Sequence, residues 1–175
     1  MVMRAAGWAV LVAGLAACGE PRWGEFSPIV SADGWRAWDG ADPFGEQGDR
    51  PCDPLGYGLE DLAGTPSFQV KTGVCDWATV YQPTEVEVKR RDRFEIRLFH
   101  DALIGPADTF ATVGVSVEDE IVWQEQVAIP ADSAFLLPEL ELKRELPVGT
   151  VLLFHVDNHG ANSYHLIDIG ISPRQ

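Results

Sequence analysis

Positive charge is scarce in this sequence. Its 175 residues hold 13 Lys and Arg against 27 Asp and Glu, for a net charge of −14 at pH 7. So acidic a chain repels phosphate backbones, which argues against nucleic acid as a partner. By the same whole-chain reasoning, anionic lipid headgroups repel it too. No apolar run approaches the ~20 residues that a membrane-spanning helix needs. No window carries a helical stripe of apolar residues, and no internal repeat or coiled-coil pattern is present. GxGxxG, GxSxG, HExxH and the P-loop are all missing. Dinucleotide, serine-hydrolase, zinc-protease and nucleotide chemistry therefore have no motif to rest on. Cysteine is limited to Cys18, Cys52 and Cys75, with no CxxC pair to begin a zinc site.

What is present begins at the N-terminus. Met1-Val2-Met3-Arg4 is a short basic head, and the 13 residues from Ala5 to Ala17 carry no charge. That run is too short to span a bilayer and fits the apolar region of an export signal ending in small residues. The segment Leu15-Ala16-Ala17-Cys18 resembles the lipobox of bacterial lipoproteins. The resemblance implies that residues 1–17 are a cleaved signal peptide. It also implies that Cys18 takes a diacylglyceryl group on sulfur and that its new amino group is acylated, with palmitate-type chains. Two or three such chains hold a protein stably at a membrane, at about 0.8 kcal/mol per buried methylene. Gly19, not Asp, follows the cysteine. In the sorting rule of that family this favours the outer membrane of a didermic cell. The expected address is extracytoplasmic and lipid-anchored.

Cleavage would leave 12 basic against 27 acidic residues, a net charge of −15. With Cys18 lipidated, Cys52 and Cys75 remain as an even pair in an oxidising compartment, which reads as a disulfide. Closing the 23-residue loop between them predicts about 3 kcal/mol of stabilisation. A two-Cys metal site is the rival reading. Residues 18–50 read as a lipidated, irregular tether, because Gly, Pro and Asp recur and no apolar periodicity survives. Fully flexible, it would reach on the order of 30 Å. Trp23, Trp35 and Trp38 imply that part of it packs on the domain. Asp39, Asp42, Glu46, Asp49 and Asp53 crowd the Gly-rich end of this stretch. Such an oxygen-rich loop suits a structural Ca²⁺; the alternative is a solvated acidic tether, and no other cofactor is expected.

From residue 51 the pattern changes to period two. Val86 and Val88 alternate with Glu85, Glu87 and Lys89, and Phe94, Ile96 and Leu98 alternate with Glu95 and Arg97. Ala111, Val113, Val115 and Val117 share one face, and further runs follow to Ile171. Seven or eight such runs separated by turn residues predict an all-β domain over 51–175, an antiparallel β-sandwich. Ile96, Leu98, Val113, Val115, Leu140, Leu142, Phe154, Val156, Ile167 and Ile169 are its expected core. The strand rhythm over residues 67–172, with the closing segment Phe154-His155-Val156-Asp157-Asn158-His159-Gly160-Ala161-Asn162-Ser163-Tyr164, resembles the galactose-binding-like jelly roll of many carbohydrate-binding modules.

Candidate chemistry is sparse. His155, His159 and His165 lie close in sequence and with His100, Asp101 or Asp157 would suit a transition metal. Alternation argues against it: His165 falls in phase with Ile167 and Ile169, facing inward, and His155 opposes Phe154 and Val156, facing outward. No metal site is expected. The amide-rich turn offers Asn158, His159 and Asn162 for sugar hydroxyls, with Phe99 or Tyr164 as a stacking face. Phe99 is out of phase with the core set and should point away from it, unless Trp35 or Trp38 covers it. These residues suggest a membrane-anchored, non-catalytic module binding a glycan or a protein. The alternative is a small hydrolase or metal-dependent enzyme on the same scaffold, and no catalytic residue is assigned.

Overall fold

The computed structural model describes residues 22–45, 49–158 and 160–175. The expectations placed on residues 1–17, Cys18, Gly19, Glu46 and His159 lie outside the described residues.

Among the described residues the chain forms twelve strands: β1 (Ser27–Pro28), β2 (Arg36–Ala37), β3 (Tyr57–Leu62), β4 (Thr65–Lys71), β5 (Trp77–Pro83), β6 (Arg93–His100), β7 (Thr109–Val117), β8 (Glu120–Ile129), β9 (Ala134–Leu136), β10 (Glu139–Glu141), β11 (Val151–Asp157) and β12 (Ser163–Ser172). Two antiparallel sheets result. The first runs β10-β6-β12-β4-β3, with β9 also on β6 and β1 also on β12. The second runs β2-β5-β11-β7-β8. The fold is the all-β sandwich that the alternation predicts.

Register shows why one face of each sheet is apolar. Phe154 lies between Val80 and Val115, and the next residue, His155, lies between Thr79 and Gly114 on the other face. In the first sheet Leu166 lies between Phe68 and Leu98. The inward rows meet in one core, and each such side chain contributes roughly 1.5–3 kcal/mol by leaving water. Ile96, Leu98, Val113, Val115, Leu142, Phe154, Val156 and Ile169 are buried there as expected, and Leu140 packs against the core from edge strand β10.

Ile167 departs from the expected set, because the pairing of β12 with β6 shifts between Leu166 and Asp168. The extra residue of this bulge reverses the phase of alternation. Ile167 is left half-buried, Leu166 points inward, and His165 pairs with Phe99 on the outer face. The expectation that His165 faces the core is therefore corrected.

The stretch assigned to a tether is also largely structural. From Ser27 onward it belongs to the sandwich: β1 pairs with β12 and β2 with β5. Ile29, Val30 and Trp35 lie in the core. Trp35 sits between the sheets, 6.0 Å from Phe68 and 6.2 Å from Phe154. Two-residue strands are too short to show an alternation, so the sequence carries no trace of them. Cys52 and Cys75 are bonded, with Cα atoms 4.9 Å apart. An Arg50–Asp76 ion pair at 2.7 Å and a Cys52 N–H donated to Trp77 O at 2.7 Å hold the same loop against β5.

Candidate functional site

A sandwich offers two outer faces, and here they differ. On the second sheet the row Thr79–His155–Gly114 lies beneath the segment from Trp38 to Phe44. Phe44 stacks on the His155 ring at 4.5 Å, with 10° between planes. Gly114 makes room for it, since a Cβ there would collide with the Phe44 ring. Asp42 accepts from Thr79 Oγ1 and, at 2.9 Å, from the Phe44 N–H. Thr79 Oγ1 also lies 2.7 Å from His155 Nδ1. Its one proton cannot serve both partners; given to Asp42, it leaves His155 to donate from Nδ1. Trp38 meets Tyr81 edge-on at 5.5 Å. This strap leaves His155 1% exposed. Burial pushes the imidazole pKa down to about 4, against the opposing pull of Asp42.

On the outer face of the first sheet exposure is uneven: Phe135 is exposed and Phe99 half-buried, whereas His165 and Gln69 are buried. One row crosses this face from Phe135 through Phe99 and His165 to Gln69. Phe99 lies 5.0 Å from Phe135 and 6.0 Å from His165, and Phe135 is 59% exposed. His165 is buried, its Nε2 3.2 Å from Gln69 Nε2 and its Nδ1 3.4 Å from Ser67 Oγ. Burial lowers its pKa, while Asp101 at 3.8 Å opposes the shift. Beside this row β6 is flanked first by β9 and then by β10. A groove of about 490 Å³ follows, lined by Glu95, Arg97, Phe135, Leu137, Pro138 and Glu139. Arg97 is fixed there by Phe26, whose ring lies 3.5 Å from the guanidinium carbon, and by Glu95 at 3.6 Å. An exposed aromatic and a Leu beside paired charges can stack an apolar ligand face and bond its polar edge.

Of the residues proposed from sequence, Phe99 is on this outer face, and neither Trp35 nor Trp38 covers it. Tyr164, Asn158 and Asn162 are elsewhere. Tyr164 is 0% exposed and points into the core, because it pairs with His100 on the inward side of β6. A ring buried in this way offers no stacking face to a ligand. Its hydroxyl has no hydrogen-bond partner among the described residues, and burial raises its pKa. Asn158 and Asn162 are buried and tie the β11–β12 turn to its neighbours. Asn158 Nδ2 donates to Thr72 Oγ1 at 2.6 Å, and Asn162 accepts from Ile104 N at 2.7 Å and donates to Ile104 O at 3.0 Å. Their amides serve the fold and leave no donor for a sugar. Phe135, Leu137 and Arg97, which line this groove, were not singled out from the sequence. Phe135 sits on the three-residue β9, too short to show that it faces outward.

The described histidines do not converge: His100 faces inward, and His155 and His165 lie on opposite outer faces. Of the acids proposed for Ca²⁺, two that are described have partners within the fold. Asp42 is engaged in the strap, and Asp53 accepts from the Leu55 N–H at 2.9 Å. Among the described residues no three His, Cys, Asp or Glu side chains group as cation ligands. Ser67, His165 and Asp101 line up as a hydrolase triad might, but Ser67 is 0% exposed and out of reach of a substrate.

No family model and no curated protein matches this sequence. Solved structures do match in shape. A carbohydrate-binding module specific for non-crystalline cellulose superposes with a TM-score of 0.50 at 8% identity, over 83% of this chain and 93% of that one. The fold is that of a carbohydrate-binding-module β-sandwich. A module described for mannan recognition matches at TM-score 0.46 and 10% identity, over 90% of this chain and 100% of that one. An arabinose-bound α-L-arabinofuranosidase matches at TM-score 0.47 and 12% identity, over 84% of this chain, which spans only 24% of that enzyme. At these identities the likeness to such modules is one of fold alone.

Proposed function

We propose that this chain is a non-catalytic glycan-binding module, held outside the cytoplasm by acyl chains on Cys18. The observation that carries the binding role is the aromatic edge of the first sheet's outer face. There the exposed Phe135 and the half-buried Phe99 form an aromatic platform beside the groove lined by Arg97, Leu137 and Glu139. A pyranose ring has an apolar face of C–H groups and an edge of hydroxyls. The platform matches the first; Arg97 and Glu139 at the groove match the second. The shared fold supports the reading, since the module specific for non-crystalline cellulose has a similar scaffold. The lipobox supports the anchor, and Gly19 supports delivery to an outer membrane.

A glycan array of neutral polysaccharide fragments tests the binding role. Binding is expected for the wild type, with a loss of at least about tenfold in Phe135→Ala, as for a central aromatic contact. Binding that ignores Phe135→Ala and Phe99→Ala would move the site elsewhere. The anchor is tested separately by the mass of the N-terminal peptide and by fractionation of Cys18→Ser. Unchanged mass and unchanged membrane retention would refute lipidation.

A further inference from the structure

Whole-chain charge hides a local reversal. Five of the 13 basic residues line a single groove of about 920 Å³: Lys89, Arg90, Arg91, Lys143 and Arg174, against Asp92, Glu141 and Glu145. Asp92 is buried and accepts from the Lys89 backbone N–H at 2.9 Å. Lys89, Arg90, Arg91 and Arg174 are exposed and form no ion pair among the described residues. In so acidic a protein, unpaired cations on one concave surface mark a place for an anion.

The chain's entry into the fold identifies the anion. Trp23 bridges to Arg174, the Gly24 N–H donates to Pro173 O at 2.7 Å, and the Gln175 N–H donates to Arg22 O at 3.0 Å. The first described residues therefore lie at the rim of the basic groove. Cys18 is four residues before Arg22. Four residues span at most about 14 Å, so an acyl anchor on Cys18 brings the bilayer within that distance of Arg22 at the rim.

We propose that the basic groove is the membrane-facing end of the module and seats the phosphates of anionic phospholipid headgroups. This rests on the reading of Cys18 as lipidated. It reverses the expectation of headgroup repulsion, because repulsion felt at short range depends on the charges within a Debye length of the surface, about 8 Å at physiological salt, and not on the chain's total. It also gives the module a direction. β6 starts at Arg93, beside the groove, and Phe99 is six residues along it, about 20 Å further from the groove at ~3.3 Å per residue. The aromatic platform would then stand clear of the headgroups, open to glycan.

The three lysines of the chain supply the test: Lys89 and Lys143 line the groove, and Lys71 is at the opposite end of the first sheet, where β4 meets the start of β12. The full-length processed protein is placed on vesicles of phosphatidylcholine alone or with phosphatidylglycerol, and amine acetylation is followed by mass spectrometry. Acetylation of Lys89 and Lys143 is expected to slow by about fivefold or more on the anionic vesicles, from ~1 kcal/mol per basic residue at an anionic surface. Lys71 should be unaffected. The protection should vanish in Arg90→Glu/Arg91→Glu and at about 1 M salt, where the Debye length falls to about 3 Å. Equal labelling on both vesicle types, or protection that survives the double reversal, would overturn the proposal. Failure to remain on neutral vesicles would instead refute the acyl anchor. Protection of Lys89 and Lys143 in the fraction still bound to anionic vesicles would then uphold the groove alone.

Discussion

Lowering the pH from 7 toward 4 forces a proton toward a ring that the strap over the second sheet leaves no room to hydrate. His155 lies under Phe44, against Thr79 and Gly114, with Asp42 as the facing carboxylate. Its pKa in the fold is about 4, against the ordinary 6.5. Above pH 6.5 the ring is neutral in both the folded and unfolded chain, and the full stability is present. Between 6.5 and 4 the unfolded chain takes up a proton that the fold refuses, so stability falls as pH falls. Below 4 the folded form is protonated too, and the loss levels off at about 3 kcal/mol. Urea midpoints measured across this range, for wild type and for His155→Asn, isolate the effect from that of His165 and the carboxylates. The stability gap between the two proteins should shrink by about 3 kcal/mol as pH falls from 6.5 to 4. Trp38 fluorescence should change in the same window if the strap lifts before the sandwich unfolds. Two parallel pH profiles would refute the reasoning, because they would mean that His155 titrates alike in both states.

Tyr164→Phe removes a buried hydroxyl that has no hydrogen-bond partner among the described residues. It should leave the melting temperature unchanged or raise stability by about 1 kcal/mol, where loss of a real hydrogen bond would cost about that much. Cys75→Ser opens the 23-residue loop and should lower stability by about 3 kcal/mol in denaturant titrations, with the sandwich still formed.

Alternation made the sandwich and most of its core legible. Val113, Val115, Phe154 and Val156 follow one phase from strand end to strand end, and burial follows them. Legibility stopped where phase changed or where strands were too short to have one. The bulge after Leu166 carries no mark in the sequence, so the inward phase of Ile169 was extended to His165, which in fact lies on the outer face. Tyr164 was offered as a surface ring for lack of the register that places it beside His100 and beneath the sheet. Trp35 could be recognised as ordered but not as core, because what buries it is the meeting of Phe68 and Phe154 from different sheets. Phe99 was read correctly as outward from its phase against Ile96 and Leu98. Its partner Phe135 comes from a distant strand, and only pairing unites them. Charge was read as a sum, which concealed the clustering of Lys89, Arg90, Arg91, Lys143 and Arg174.

Glycan recognition on the outer face of the first sheet is tested most directly by titration calorimetry of the best array ligand against three variants. Phe135→Ala and Phe99→Ala alter the aromatic platform, and Phe44→Ala alters the strap on the opposite face. Affinity should fall by at least about tenfold in each of the first two and stay unchanged in the third. Affinity untouched by Phe135→Ala and Phe99→Ala, but changed by Phe44→Ala, would contradict it and place recognition beneath the strap, on the face that His155 shares with Gly114.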